Sequence, residues 1–197
     1  DRHGMTHYST VESDNNSHGI MALVTISKRL EWLKGTFNAR CVLSQNTSSM
    51  YQNGINTEFN TGSLQTSVSL NSNVWAWLDL AYRAQYNIHA LEFSAMKRRT
   101  KLLTQELELT WMPTNALNFS LSAEHYANYF NDNTHKYTFF ADFNCLYKYR
   151  KTDFTLHLNN ILNQRFYNNA TYNNLSSIYN QYGIRGRTLI VGVKMFF

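Results

Sequence analysis

Proline and charge are both scarce in this 197-residue sequence. It holds one proline, two cysteines and eight glycines, and only 16% of its residues are Asp, Glu, Lys or Arg. Typical soluble domains carry about 25% charged residues, so the composition is unlike that of an ordinary soluble globule. Mean hydropathy is −0.44, so no hydrophobic bulk compensates for the missing charge. The two cysteines, Cys41 and Cys145, provide neither a disulfide framework nor the close spacing of a metal site. Both fall at apolar-phase positions of expected strands, where they read as small buried or lipid-facing side chains rather than a disulfide pair.

Long apolar runs are missing too. No stretch approaches the ~18 residues of a membrane-spanning helix. That excludes one class of membrane protein only, because spanning β-strands are ~9–11 residues long with a weak alternating signal. The opening "DRHGMTHYST" has no basic segment followed by an apolar one and does not read as a signal peptide. No Ser-His-Asp grouping, nucleophile elbow, P-loop or dinucleotide fingerprint occurs, so the chain is not expected to be an enzyme or to carry a cofactor. The formal net charge of +5 is modest. Its only dense basic run, Lys97-Arg98-Arg99 with Lys101, reads as a solvated loop or strand end, so no nucleic-acid face is expected.

What is present in quantity is aromatic. Aromatics make up 15% of the chain, with 13 Tyr and 12 Phe, and they recur with period 2. Leu117, Phe119, Leu121, Ala123 and Tyr129 share one face, with His125 and Ala127 as weaker members. Asn118, Ser120, Ser122, Glu124, Tyr126 and Asn128 share the other. Tyr137, Phe139, Ala141, Phe143, Cys145 and Tyr147 oppose Thr138, Phe140, Asp142, Asn144 and Lys148. The same rhythm runs through residues 101–111, 153–160 and 188–197, and more weakly through 20–31, 34–44, 58–70 and 73–87; residues 1–8 offer a tenth strand. In the 73–87 segment, Trp75 and Trp77 fall on the polar phase, a position that suits the rim of a sheet.

The connections alternate in length. Short turns are expected near Leu30–Gly35, Asn71–Asn73, Met112–Asn115 and Arg150–Asp153. Long polar loops are expected near Ser9–Gly19, Ser44–Thr57, Ile88–Arg98 and Gln164–Arg185, with the shorter Asn131–His135 in the equivalent place. An antiparallel meander sends alternate connections to opposite ends, so one end has tight turns and the other long loops. Strands of about 10–14 residues exceed the usual 5–6. Together these point to an all-β fold: an antiparallel meander of about nine to ten long transmembrane strands, part of an outer-membrane β-barrel. Trp111, Tyr147 and Tyr149 at short-turn ends, and Tyr86, Tyr129 and Tyr137 at long-loop ends, fit its two interfacial girdles. Glu106, Glu108 and Glu124 then read as lumen-facing charges rather than catalytic carboxylates. His3, His7 and His18 read as loop histidines rather than a metal site.

The last forty residues add a resemblance. "LHLNNILNQRFYNN" followed by a long loop and "YGIRGRTLIVGVKMFF" resembles the C-terminus of TonB-dependent outer-membrane receptors of the Bacteroidetes type. Asn160, Asn163 and Tyr167 match the asparagine-and-aromatic pattern of the penultimate strand. Gly186 and Arg187 match the pair that opens the last strand, and Phe197 matches its terminal aromatic, part of the signal read by the barrel-assembly machinery. The family's barrels have 22 strands behind a plug domain. Residues 1–197 therefore look like the C-terminal part of such a barrel, with no plug domain. The resemblance implies location in the bacterial outer membrane and energy-coupled uptake of a nutrient such as a metal chelate, cofactor, glycan or peptide. Implied partners are outer-membrane lipid, the barrel-assembly machinery, the TonB system acting through a missing N-terminal region, and a surface lipoprotein. Tyr51, Tyr167, Tyr172 and Tyr179 in the long loops are the candidate ligand contacts. Alternative readings are a small outer-membrane barrel acting as passive pore or adhesin, and a soluble all-β ligand-binding protein.

Overall fold

A computed structural model describes residues 17–52, 55–93, 96–131, 134–172 and 177–197. The strands among them are β1 (His18–Leu30), β2 (Gly35–Gln52), β3 (Ile55–Trp75), β4 (Leu78–Phe93), β5 (Met96–Thr114), β6 (Leu117–Asn131), β7 (Thr134–Tyr149), β8 (Thr152–Asn159), β9 (Phe166–Tyr172), β10 (Ser177–Gly183) and β11 (Thr188–Met195). A 3-10 turn, Glu31–Leu33, joins β1 to β2. Nine strands form one antiparallel sheet in the order β1-β2-β3-β4-β5-β6-β7-β8-β11, and β9 and β10 form a separate two-stranded ladder. The expected all-β antiparallel meander is present. The tenth strand expected at residues 1–8, and His3 and His7, lie outside the described residues.

Register converts the alternation of each strand into a property of the whole sheet. Leu30, Gly35, Ser72, Leu80, Leu109, Leu121, Phe143, Leu158 and Leu189 are paired in one row across all nine strands. Residues paired across a ladder share a face, as do residues two apart along a strand. Val24, Cys41, Tyr86, Leu103, Ala127 and Tyr137 therefore lie on the same side as that row. Arg83, Glu106 and Glu124, and beside them Glu108, Ser122 and Asp142, lie on the opposite side. A one-residue slip anywhere would exchange the two sets.

The apolar face is not covered by a second layer among the described residues. Sheet strands touch their ladder neighbours, and β9 adds contacts across to β6 and β7. Among the described residues Ala127 is the buried hydrophobic residue of this face, Phe59 being buried on the opposite side, while Leu107, Leu121, Phe139 and Val193 are exposed and Val191 is 67% exposed. Three polar side chains on this face are linked in a chain, although His125 Nε2 is buried without a hydrogen-bond partner among the described residues. Gln105 Nε2 donates to Tyr82 Oη at 2.9 Å, and His125 Nδ1 sits 2.9 Å from Gln105 Oε1. The His125 ring stacks on Phe139 at 4.2 Å.

The turns correct several sequence expectations. The turn after β3 falls at Ala76–Trp77, not at Asn71–Asn73. A register shift between Asn73 and Trp75 takes both tryptophans out of the alternation, and their rings stack at 4.9 Å and 1° at this end of the sheet. Trp32 lies in the β1–β2 turn and Trp111 near the end of β5, so all four tryptophans of the chain sit toward the short-turn end. Pro113 lies where the β5–β6 register shifts between Trp111 and Thr114, a place where no ladder donor is needed. Gly35 follows Lys34, which is left-handed at φ 45°. A Cβ at Gly35 would collide with the Asn71 carbonyl oxygen.

The expected long loops Ser44–Thr57, Ile88–Arg98 and Asn131–His135 are not loops. β2 and β3 stay paired to Gln52–Ile55, β4 and β5 to Phe93–Met96, and β6 and β7 to Asn131–Thr134. The apolar alternation stops, but the ladder continues because its hydrogen bonds need no apolar side chain. The Gln164–Arg185 segment is likewise largely the β9–β10 hairpin.

The short turns also step steadily across the ladder. Gly35 pairs with Ser72, yet β3 runs on to Trp75; Leu78 pairs with Trp111, yet β5 runs on to Thr114; Leu117 pairs with Tyr147, yet β7 runs on to Tyr149. Each turn is thus two or three residues beyond the row leaving the previous one. At ~3.3 Å per residue and ~4.8 Å between strands, this slope corresponds to a strand tilt of roughly 40° from the perpendicular to the line of turns.

Candidate functional site

Four residues picked out from the sequence, Asn160, Asn163, Gly186 and Arg187, meet at one junction between β8 and β11. The chain leaves β8 with Asn160 and Asn163 in the left-handed region, at φ 52° and 56°, which asparagine tolerates better than most residues. Asn160 is 9% exposed and its side chain is fully used. Nδ2 donates to the carbonyls of Gln164 at 2.7 Å and Arg185 at 2.9 Å, and Oδ1 accepts from the Gln164 amide at 2.8 Å. The Asn160 amide donates to Asp142 Oδ1 at 2.6 Å, which fastens the junction to β7. The Arg187 amide donates to Asn163 Oδ1 at 3.1 Å, and the Arg187 guanidinium donates from Nε at 2.9 Å and from a second nitrogen to the Ile161 carbonyl. Gly186 packs so closely that a Cβ there would lie 2.8 Å from Asn163 Oδ1. The junction closes the base of the hairpin, and an Ile184 amide to Arg165 carbonyl bond of 2.9 Å continues it upward.

Above this clasp the hairpin leans onto the polar face of β6 and β7. Tyr167 meets Tyr126 edge-on at 5.5 Å and lies 6.2 Å from Phe140. Asn128 Nδ2 donates to the Asn168 carbonyl at 3.2 Å. Thr138 and Asn128, at 2% and 7% exposure, are buried in this region of the sheet. Burial, with the Glu124 carboxylate nearby, raises the Tyr167 phenol above its ordinary range. Tyr126 Oη donates to Glu124 Oε2 at 2.8 Å.

The polar face carries its carboxylates in a pattern that demands partners. Glu106 and Glu124 are paired directly across β5 and β6, a like-charge opposition that costs stability unless screened. Arg83 answers Glu106 at 2.7 Å from the other side, and Tyr126 answers Glu124. His157 Nδ1 lies 2.6 Å from Asn144 Oδ1. No group of three or more potential metal ligands occurs among the described residues. The arrangement offers hydrogen-bonding groups and aromatic rings to a ligand rather than a reacting centre.

Of the other sequence candidates, Tyr167 is the one whose side chain is seen in this cluster. Tyr51 stands on β2 opposite Asn56, Tyr172 opposite Ser177 and Tyr179 opposite Ala170; their side chains lie outside the described residues. Phe197 is fully exposed just beyond β11, while the Phe196 amide still donates to the Lys151 carbonyl at 2.8 Å. Sequence reasoning assigned Tyr126, Asn128 and Phe140 to the polar face but not to the site. Their signal was the presence of two aromatic rings out of phase on a polar face. No family model matches the chain, and no curated protein or solved structure matches it either.

Proposed function

We propose that this chain is a wall segment of an outer-membrane β-barrel, of the kind built by TonB-dependent receptors, and serves energy-coupled uptake of a nutrient. The observation that carries the barrel reading is the single register of nine strands, which puts Leu80, Leu109, Leu121, Phe143, Leu158 and Leu189 on one face and Arg83, Glu106, Glu108, Glu124 and Asp142 on the other. While the β9–β10 hairpin lies against part of the polar face, the apolar face is not covered by a second layer among the described residues. In water such a face would have to be buried against another layer; in lipid it is already in its preferred solvent. Three dimensions support this. The tilt of roughly 40° falls in the 35–45° range of membrane barrels. From Phe119 to Tyr129 the apolar phase of β6 covers ~33 Å along the strand, or about 25 Å once tilted, the height of a barrel's lipid band. The tryptophans cluster at one end, as an interfacial girdle would require.

Strand parity favours a part of a larger barrel over a self-contained one. Eight successive antiparallel pairings leave β1 and β11 running in the same direction. Closing these nine strands on themselves would need a parallel seam, whereas bacterial single-chain barrels close with even numbers of antiparallel strands. The receptor assignment and nutrient uptake rest on the sequence pattern now seen folded as the Asn160–Arg187 clasp, with an aromatic-rich hairpin held over the polar face. A metal chelate, cofactor, glycan or peptide would approach that hairpin from the long-hairpin end.

The wall reading is tested by refolding the chain in detergent and then removing the detergent. Heat-modifiable migration and strand-rich circular dichroism in micelles, with precipitation on removal, are expected. A monodisperse folded protein in plain buffer would defeat the reading. The uptake role is tested by deleting the chromosomal locus and measuring import of labelled chelates, cofactors, oligosaccharides and peptides. Unchanged import of every class would remove it.

A further inference from the structure

The outer end of the apolar face is not flat. A hollow of about 880 Å³ opens over β1 to β5, within the size range of ligand clefts (~300–1,000 Å³). Its floor combines the small Ala22, Gly62 and Ala90 with the larger Leu43 and Ile88, and polar Gln45, the β2 partner of Gly62, stands among them. Ala22 pairs with Leu43, and Gly62 with Ala90, and the face assignment above puts all four on the apolar side. A Cβ at Gly62 would find only Ala90 Cβ and the Ser44 carbonyl oxygen, both at 4.0 Å, so the space is open rather than occupied by neighbours. Lys97 and Arg99 form the upper rim. Arg99 pairs with Ala90 across β4 and β5 and therefore projects on the apolar side too. Lys97 is held by Glu92, while Arg99 is exposed and has no partner among the described residues.

Tilt gives the hollow a direction. Each strand from β1 to β5 sits further along the slope, so the line from Ala22 through Gly62 to Arg99 climbs from within the apolar band to beyond its edge. A largely apolar floor whose upper end carries two cations, Lys97 and Arg99, against one carboxylate, Glu92, is the complement of a phosphorylated lipid. Its chain lies along the small residues and its phosphate meets a guanidinium able to donate two hydrogen bonds. We infer that this groove is a binding site for a phosphate-bearing lipid of the surrounding leaflet, held by Arg99 and Lys97 over a floor centred on Gly62. The inference rests on the wall reading, because it requires this face to meet lipid. The basic run read from the sequence as a merely solvated strand end thereby gains a role for alternate members, those whose parity turns them toward the apolar side.

The test uses the 197-residue chain in dodecyl maltoside with lipid A carrying its phosphates, or the same lipid A enzymatically dephosphorylated. Retained lipid is counted by native mass spectrometry. Phosphorylated lipid A is expected to be retained at least ten-fold more strongly. Lys97→Ala with Arg99→Ala should lower its retention to the dephosphorylated level, and Gly62→Leu, whose Cβ has room and whose side chain projects on the apolar side, should abolish retention of both forms. Equal retention of the two lipids, or undiminished retention by Gly62→Leu, overturns the proposal. A Gly62→Leu variant that shifts the monomer–dimer ratio with lipid retention intact also overturns it, and assigns the groove to a second copy. The rim variant keeps the test decisive if Gly62→Leu fails to fold. Detergent removal from the same samples reports on the wall reading alone, so the two failures are distinguishable.

Discussion

Asn160 donates from its side-chain amide to the carbonyl of Arg185 at 2.9 Å, across 25 residues of chain. That one bond joins the departure from β8 to the approach to β11, and the Gln164 bonds from the same side chain complete it. Loss of a buried amide that satisfies several backbone groups costs ~1–3 kcal/mol, and a non-glycine residue other than asparagine pays for the left-handed backbone as well. Asn160→Ala should therefore destabilise the chain by about 2–4 kcal/mol. Asn160→Gly should cost less, because only the side-chain bonds are lost. Denaturant unfolding in detergent measures both, and equal losses for the two variants would contradict the role given to the backbone conformation.

Leu121 and Ser122 are adjacent on β6 and face opposite ways. If one face meets lipid, Leu121→Arg should cost ~2–4 kcal/mol near mid-membrane, while Ser122→Arg, beside Glu108 and Asp142, should be close to neutral. Refolding equilibria in phospholipid bilayers give both numbers. Similar costs at the two positions would mean that the faces do not differ in solvent.

The Tyr82–Gln105–His125 chain predicts non-additivity. Gln105→Leu alone strands the Tyr82 hydroxyl and His125 Nδ1 on an apolar face, at about 1–3 kcal/mol. His125→Leu alone strands Gln105. Adding His125→Leu to Gln105→Leu should recover part of the loss, because both partners are then apolar. A double-mutant cycle with no coupling energy would show that the three side chains act independently.

Phe197 has no covering contact, so its removal should change unfolding free energy within about 0.5 kcal/mol. Its expected part lies in assembly. Deleting Phe197 should leave synthesis intact and sharply reduce the protein recovered in the outer membrane. Normal insertion of the deletion variant would show that the terminal aromatic is not read.

The central part of the sheet was legible in the sequence because period-2 alternation is a direct projection of which residues share a face. Phe119, Leu121 and Ala123 against Ser120, Ser122 and Glu124 leave little choice of phase. The hairpin extensions were illegible for the same reason. Between Ser44 and Thr57 both faces are polar, and backbone pairing leaves no trace in side-chain type. The turn at Ala76–Trp77 was misplaced because Asn71–Asn73 carries the usual turn residues, whereas the actual corner is marked by two stacked indoles. At the clasp, the sequence pointed to the four residues through their pattern. It gave no hint that Asn160 would close the hairpin base through three separate bonds, since those depend on bringing residues 160 and 185 together in space.

The paired extensions beyond the apolar band of the sheet have a consequence for how such a chain can change. Where one face must stay apolar, adding a single residue reverses the whole strand. Where both faces meet water, two residues added to each arm simply lengthen the ladder, leaving everything below in place. The hairpins of β2–β3, β4–β5 and β6–β7 can thus grow or shrink in even steps at little cost. The surface presented at that end is free to diverge among descendants while the wall beneath remains unaltered.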